Sequence, residues 1–253
     1  MLSKNKIKLI QSLNRKKDRD ESGLFLVEGN KMVEEALRSD YRIEALVCTT
    51  LFANQYPEIQ SKANEIIESD KESIQKASLL QSPQEALAIV RQPVSSKPEM
   101  NLNIDLCLAL DFIQDPGNLG TILRIADWFG IDTVICSENT VDVFNPKVVQ
   151  ASMGAIFRIK TWYTDLKCFL LENSKSQIPV YGTFMDGHNI YTELLTRNGI
   201  IVLGNEGNGI SDQIGKLVNR RIAIPTFSTN TNKAESLNVA IAASICCSEF
   251  RRR

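Results

Sequence analysis

Leu108 to Asp132, LALDFIQDPGNLGTILRIADWFGID, is the stretch from which the rest of the chain is read. Leu108, Leu110 and Phe112 alternate, the period of a strand with one buried face. Asp115, Pro116 and Gly117 interrupt that pattern and turn the chain. Ile122, Leu123, Ile125, Ala126 and Phe129 then recur at helical spacing. A strand that passes through a glycine-containing turn into a helix is where open α/β folds place their chemistry. Asn118 and Arg124 stand six residues apart at the start of that helix. From position alone, Asn118 reads equally well as a helix cap and Arg124 as a surface helix residue.

The alternation continues on both sides. Downstream, strands are predicted over 133–136, 157–160, 180–184, 200–203 and 221–224, with helices over 145–153 and 165–172. Asn145-Pro146 is a good N-cap and first-turn pair. A helical turn is expected over 191–195, and a closing helix over 237–250. That helix is apolar on nearly every side (Leu237, Val239, Ile241, Ile245, Cys246, Phe250), so it is expected to be buried on more than one face, as at a subunit interface. Upstream, short strands over 24–27, 42–48, 65–68 and 86–90 alternate with helices over 31–37, 57–63 and 71–79. Residues 93–103, PVSSKPEMNLN, are polar and hold two prolines between these patterns. The expected organisation is a small N-terminal α/β domain over 1–95, a linker over 96–103 and a larger α/β domain over 104–253.

Composition narrows the function classes. Apolar content of 43% and charged content of 23% are ordinary for a globular protein. No stretch approaches the roughly 20 apolar residues of a membrane span, and the N-terminus lacks the apolar core of a secretory signal, so a cytoplasmic protein is expected. The six cysteines include no C-x-x-C pair, and Cys107, Cys136, Cys246 and Cys247 lie in apolar runs, as buried free thiols would. A net charge of −1 excludes a globally basic chain but not a local basic patch. Residues 1–20 carry seven Lys or Arg against two Asp. Ile7, Ile10 and Leu13 form one apolar stripe among Lys4, Lys6, Lys8, Arg15, Lys16 and Lys17, so one short basic amphipathic helix is predicted. Its outer face reads either as solvated charge or as a phosphate contact.

Three strand ends carry unusual loops: 114–120, 204–209 and 225–238. In a parallel sheet these ends share an edge, so glycines and main-chain amides can gather around one small ligand. Gly117 and Gly120 make a G-x-x-G, short of the G-x-G-x-x-G of a dinucleotide site. No phosphate-binding G-x-x-x-x-G-K-[ST] exists. His188 is the only histidine, which argues against a His-rich metal centre, and it is expected in a solvent-facing turn over 186–189. Gly204-Asn205-Glu206-Gly207-Asn208-Gly209 has more glycine than one chain reversal needs, and a carboxylate besides.

Taken together, the loops resemble the three motifs of the SpoU (TrmH) family of RNA ribose 2′-O-methyltransferases, of the SPOUT class. Asp115-Pro116-Gly117-Asn118-Leu119-Gly120 with Arg124 resembles the first motif. Leu203 to Ile210 resembles the second, and Ile224-Pro225 with Glu235-Ser236-Leu237-Asn238-Val239-Ala240 the third. Asn145 to Val149, Ala151 to Ala155 and Phe157-Arg158 are also similar to the family between its first two motifs. Residues 1 to about 95, with Leu26-Val27-Glu28-Gly29, resemble its N-terminal RNA-binding domain, a small fold like certain ribosomal proteins. One departure is the loop over 227–235, FSTNTNKAE, which is longer than usual for the family and lacks glycine.

The resemblance implies a C-terminal domain with a deep trefoil knot, a homodimer formed through it, and bound S-adenosylmethionine, converted to S-adenosylhomocysteine, with no metal. It implies methyl transfer to a ribose 2′-hydroxyl of RNA, ribosomal RNA before tRNA, with a non-catalytic RNA-binding relative as the alternative. Gly204, Ile224 and Leu237 would grip the cofactor through main-chain groups, with Asn238 beside them and Thr183 on the adenosine side. Arg124, Asn118 and Glu206 would be the catalytic set. An arginine is a poor general base near neutral pH, so Arg124 suits stabilisation of a developing alkoxide and a grip on a neighbouring phosphate. Asn118 would bond the ribose or fix Arg124, and Glu206 would hold the second loop or orient Asn118 and Arg124. Lys4, Lys8, Arg15, Lys16, Lys17 and Arg124 are the expected RNA contacts.

Overall fold

A computed structural model describes residues 2–57, 59–174, 176–230 and 236–252. In chain order the elements are α1 (Lys4–Ser12), α2 (Lys16–Ser22), β1 (Leu24–Glu28), α3 (Asn30–Arg38), β2 (Ile43–Cys48), α4 (Thr50–Gln55), α5 (Ile59–Lys62), β3 (Ile66–Glu68), α6 (Lys71–Ala77) and β4 (Ala86–Arg91). There follow β5 (Leu106–Asp111), α7 (Pro116–Trp128), β6 (Thr133–Ser137), α8 (Pro146–Ser152), a 3-10 turn (Ala155–Phe157), β7 (Lys160–Thr164) and α9 (Leu166–Ser174). The chain closes with β8 (Val180–Asn189), β9 (Gly199–Gly204), α10 (Asp212–Gly215), β10 (Arg220–Ala223) and α11 (Val239–Arg252). The α/β class read from the alternation of elements is the one observed. No helix among the described residues is long and apolar enough to cross a membrane.

The chain forms two compact units, and they are not simply consecutive. One comprises Met1–Val94 together with Asp142–Arg158, the other Ser95–Val141 together with Ile159–Arg253. The first unit is a four-stranded sheet ordered β1-β4-β2-β3. Leu26, Ala45, Val47, Leu87 and Ile89 face Ile10 of α1, Leu13 just after it, and Ile74 and Ala77 of α6. On β1, alternate residues point the opposite way, and Phe25 meets Phe144 (4.8 Å between centroids) and Phe157 (6.5 Å) of the inserted segment.

The second unit is a six-stranded parallel sheet ordered β10-β8-β9-β5-β6-β7. Every residue of β5, β6 and β9 is buried, as expected of parallel strands covered on both faces. Cys107, Ala109, Ile200 and Val202 pack with Phe169 and Leu170 of α9 and Ile214 of α10. α7 and α11 pack on one another, and Phe250 of α11 sets its ring edge-on to Tyr181 of β8 at 4.8 Å. Arg251 donates to the carbonyls of Phe129 (2.8 Å) and Gly130 (2.6 Å), satisfying groups left open at the end of α7. Five of the six cysteines are buried and all are free thiols, Cys168 being the exposed one.

Several local expectations are corrected. The basic N-terminal segment is two helices: Arg15 is extended (φ −92°, ψ 132°), and Nη1 of Arg19 takes the carbonyls of Leu13 and Asn14 across the break. α4 was not anticipated; Thr49 starts it by accepting the amide of Phe52. Residues 157–160 divide between the 3-10 turn and β7, because Gly154 (φ +93°) reverses the chain first. Residues 191–195 form turns without a helix, and the last helix begins at Val239, with Asn238 accepting the amides of Ala240 and Ile241. The 186–189 stretch is no turn but the end of β8, where exposed His188 is in register with Ile222.

A glycine makes that pairing possible: a Cβ on Gly187 would lie 2.4 Å from the carbonyl carbon of Ile222. Gly187→Ala is therefore expected to cost about 1–3 kcal/mol, as overpacking does. That corresponds to roughly 2–4 °C in Tm per kcal/mol for a chain of this size. An unchanged Tm in thermal unfolding would show that β8 and β10 do not approach this closely.

Candidate active site at the strand ends

The parallel sheet sets the C-terminal ends of β5, β9, β8 and β10 along one edge, all within the second unit. Asp115 caps α7 by accepting the Asn118 amide at 2.8 Å, with Pro116 in the first turn. Asp115, not Asn118, is thus the cap, and the Asn118 side chain is left for other work. Its Nδ2 donates to Glu206 Oε1 at 3.0 Å, and its Oδ1 accepts from Nδ2 of Asn238 at 2.9 Å. Glu206 also accepts the amides of Gln114 (Oε2) and Asp115 (Oε1), each at 3.3 Å. One chain of hydrogen bonds, Asn238 to Asn118 to Glu206, therefore joins all three loops.

Partial burial of Glu206 works against its charge. The hydrogen bonds from Asn118 and from the backbone, including Gln114 and Asp115, outweigh it and hold the carboxyl below the usual carboxylate range. Both oxygens are committed inside the protein, so the geometry makes Glu206 a fixed anchor that orients the Asn118 amide. Arg124 lies about 9 Å further along α7 at the standard rise per residue. It is exposed and makes no hydrogen bond or ion pair among the described residues. Asn118 is bonded to Glu206 and Asn238 rather than to Arg124, because six residues of helix carry the two side chains apart.

Reasoning from sequence missed three supports. Asn205, before Glu206, folds the second loop on itself: its Oδ1 accepts the amides of Gly207 (2.9 Å) and Asn208 (3.0 Å). Its Nδ2 donates to the carbonyl of Phe112 at 2.8 Å. The signal was available, since an asparagine among glycines is a local-turn former. Asp111, at the end of β5, accepts the amide of Ser211 at 2.7 Å and ties the far end of the same loop. Phe112 has φ +62°, a left-handed backbone that a bulky residue seldom adopts. It is held there from both sides, its amide on Ser137 Oγ (2.8 Å) and its carbonyl on Asn205.

The residues expected to hold a cofactor lie along the same edge. Gly204 ends β9, and a Cβ there would fall 2.2 Å from the carbonyl carbon of Gly209, so this loop presents main chain rather than side chain. Thr183 on β8 is half-buried, its hydroxyl 3.4 Å from the carbonyl of Val202. Ile224 follows β10 and is half-buried; Leu237 precedes α11 and is half-exposed. Main-chain groups beside open apolar side chains suit a nucleoside, whose flat base is apolar on its faces and polar at its edges. Of the loop over 227–235, residues 231–235 fall outside the described residues, as does Arg253 at the chain end. Among the described residues no cluster of three or more His, Cys, Asp or Glu is arranged to hold a metal. A depression of about 180 Å³ lies elsewhere, at the starts of β5, β6 and β7, lined by residues that include Asp105, Asp132, Lys160 and Arg251.

The expected RNA contacts other than Arg124 are all in the first unit. Lys4 and Lys8 are exposed on α1. Arg15, Lys16 and Lys17 are also exposed, but they pair with Asp18 (2.5 Å), Asp20 (2.7 Å) and Glu21 (3.7 Å), which balances much of the charge on α2.

The fold and site define an α/β protein whose parallel sheet brings three strand-end loops, joined by asparagines and one carboxylate, to one edge. Residues 105–248 match the SpoU rRNA Methylase family, and residues 4–88 match an MRM3-like substrate binding domain. The chain belongs to the SpoU rRNA methylase family. It is 29% identical to the 23S rRNA (guanosine(2553)-2′-O)-methyltransferase RlmP of Bacillus subtilis, over 97% of this chain and 96% of that protein. Its structure resembles that of a putative RNA methyltransferase of the TrmH family from Porphyromonas gingivalis (TM-score 0.88, 39% identity, 100% of this chain and 99% of that one). It also resembles an AdoMet-bound rRNA methyltransferase from Sinorhizobium meliloti (TM-score 0.85, 28% identity, 100% and 97%).

The state of Glu206 has a consequence in acid. Its folded-state pKa lies below the ordinary value of about 4.3, so the stability it contributes is fully present above that value and is lost as pH falls through the lowered one. Glu206→Gln lacks this titration. Stability of the unsubstituted chain, followed by thermal unfolding, is expected to fall more steeply with acid than that of Glu206→Gln below about pH 4. Equal slopes would count against a carboxylate held ionised by these donors.

Proposed function

We propose that this chain transfers a methyl group from S-adenosylmethionine to a ribose 2′-hydroxyl of RNA, with ribosomal RNA as the substrate. The observation that carries the reading is the Asn238–Asn118–Glu206 chain of hydrogen bonds, which joins the loops of the three family motifs. Bound there, the cofactor would supply an electrophilic methyl group on a sulfonium. Main chain at Gly204, Ile224 and Leu237 would hold it, with Asn238 close by and Thr183 on the adenosine side. The second N–H of Asn118 Nδ2, fixed in direction by Glu206, would be offered to the ribose. Arg124, reaching outward from α7, would grip a phosphate and stabilise negative charge growing on the 2′-oxygen. Holding hydroxyl and methyl in line supplies much of the rate in such a reaction.

The same reading assigns RNA binding to residues 1–95, through Lys4, Lys8, Arg15, Lys16 and Lys17, a linker to 96–103 and catalysis to a knotted domain over 104–253. It makes the protein a cytoplasmic homodimer. Support for the dimer comes from open apolar side chains on and beside α7 and α11: Trp128 is 85% exposed, Ile241 53% and Leu237 50%.

Arg124→Ala tests the roles. Cofactor affinity by calorimetry is expected within about twofold of the unsubstituted chain, while methyl transfer falls by roughly 10²–10³. A folded Arg124→Ala chain that no longer binds S-adenosylmethionine would overturn the assignment. Mapping 2′-O-methyl sites on ribosomal RNA in cells with and without the gene tests the substrate; an unchanged map sinks that part of the reading.

A further inference from the structure

Residues outside the three loops hold the first of them in an unusual shape. Phe112 follows β5 directly and has φ +62°. A bulky side chain seldom takes that conformation, because its Cβ crowds the following carbonyl. Phe112 is kept there by a hydrogen bond on each side. Ser137, the last residue of β6, accepts the Phe112 amide on Oγ at 2.8 Å, and Asn205 Nδ2 donates to the Phe112 carbonyl at 2.8 Å. These residues and all those named below belong to the second unit.

Ser137 is itself part of a small buried network. Its hydroxyl donates to Asn139 Oδ1 at 2.7 Å, which leaves its lone pairs to accept the Phe112 amide and the Thr140 hydroxyl, 3.0 Å away. Both Ser137 and Thr140 are buried. The Thr140 amide returns to the Ser137 carbonyl at 2.9 Å and closes the turn. One residue on, the Val141 amide donates to the carbonyl of Ile113 at 2.8 Å, and the Val141 carbonyl accepts the hydroxyl of Tyr163 at 2.5 Å. The 137–141 turn thus grips two successive residues after β5, Phe112 by its N–H and Ile113 by its C=O. Gln114 and Asp115, whose amides bind Glu206, come next, and Asn118 stands three residues beyond. A Phe112 free of Ser137 would relax toward the regions that a bulky residue prefers, and the chain after it would leave β5 in another direction.

We propose that Ser137, which lies in none of the three motif loops, is a positioning residue for methyl transfer: its hydroxyl keeps Phe112 left-handed and thereby sets where Asn118 is offered to the ribose. The proposal rests on the methyltransferase reading above. The test uses the full chain and ribosomal RNA from cells lacking the gene, with kcat, KM for RNA, cofactor affinity and Tm measured for each variant. In Ser137→Ala, cofactor affinity and KM are expected within about twofold of the unsubstituted chain, while kcat falls on the order of 10- to 100-fold, as small misplacements of reacting groups do. Ser137→Thr keeps the hydroxyl and is expected to lose less. The decisive readout comes from Phe112→Gly, since glycine takes φ > 0 without strain. In that background, removing the Ser137 hydroxyl is expected to lower kcat by no more than about threefold further, whereas a hydroxyl with a merely structural role would cost the same factor in both backgrounds. Phe112→Asn, also tolerant of φ > 0, takes its place if the glycine variant does not fold.

A folded Ser137→Ala chain with unaltered kcat overturns the proposal, as does a loss that only follows the unfolded fraction or is equal with and without Phe112→Gly. If Ser137→Ala does not fold, Ser137→Cys decides, because it keeps a side chain of similar size and weakens the acceptor. A folded Ser137→Cys chain with a selective kcat loss supports the proposal, and any other result overturns it. An unsubstituted chain that methylates no ribosomal RNA overturns the functional reading and this proposal together. Transfer by that chain with unaltered variants overturns this proposal alone.

Discussion

A single carboxylate organises the strand-end loops. Glu206 accepts three N–H groups from the stretch after β5, two from main chain and one from Asn118. Hydrogen bonds to an ionised acceptor are each worth about 1.5–3 kcal/mol, toward the lower end where solvent has access. The larger effect is on geometry. Asn118 cannot rotate without breaking its bond to Glu206 on one side and to Asn238 on the other. The side chain between the loops is thereby given one orientation.

That anchor works because its supports are rigid. β5 and β9 are neighbours along their whole length, from Leu106↔Gly199 to Asp111↔Gly204, and both are buried throughout. Their ends cannot drift apart. Asp111 and Asn205 then bond across from one loop to the other, and Phe112 is kept in a backbone conformation it would not choose alone. A constellation built on strand ends and locked by such neighbours is held to one geometry.

Much of this was legible in the residues. Leu108–Phe112 and 200–203 announced strands, Asn145-Pro146 a helix start, and the three asparagine-bearing loops a shared edge. What escaped has a common cause: local periodicity reports on neighbours in sequence, not on partners in space. Asp-Gly-His-Asn over 186–189 carries turn-forming residues, yet Gly187 is there so that Ile222 can come close. Arg19 is one of seven basic residues counted over 1–20, yet it is buried against a residue 123 positions away. Asn205 was hidden by its more conspicuous neighbour Glu206. Nothing in the pattern of 142–158 shows that its aromatic residues, Phe144 and Phe157, pack on Phe25.

That last feature bears on how the two units can be inherited or exchanged. Two domains joined by one linker can be swapped between proteins by a cut at the linker. Here a cut near residue 95 would strip Phe144 and Phe157 of the ring they pack on and Asp142 of its arginine, leaving an apolar, charged stub in the middle of the catalytic half. The N-terminal unit and the Asp142–Arg158 segment are therefore one unit of exchange, although some fifty residues of sequence stand between them.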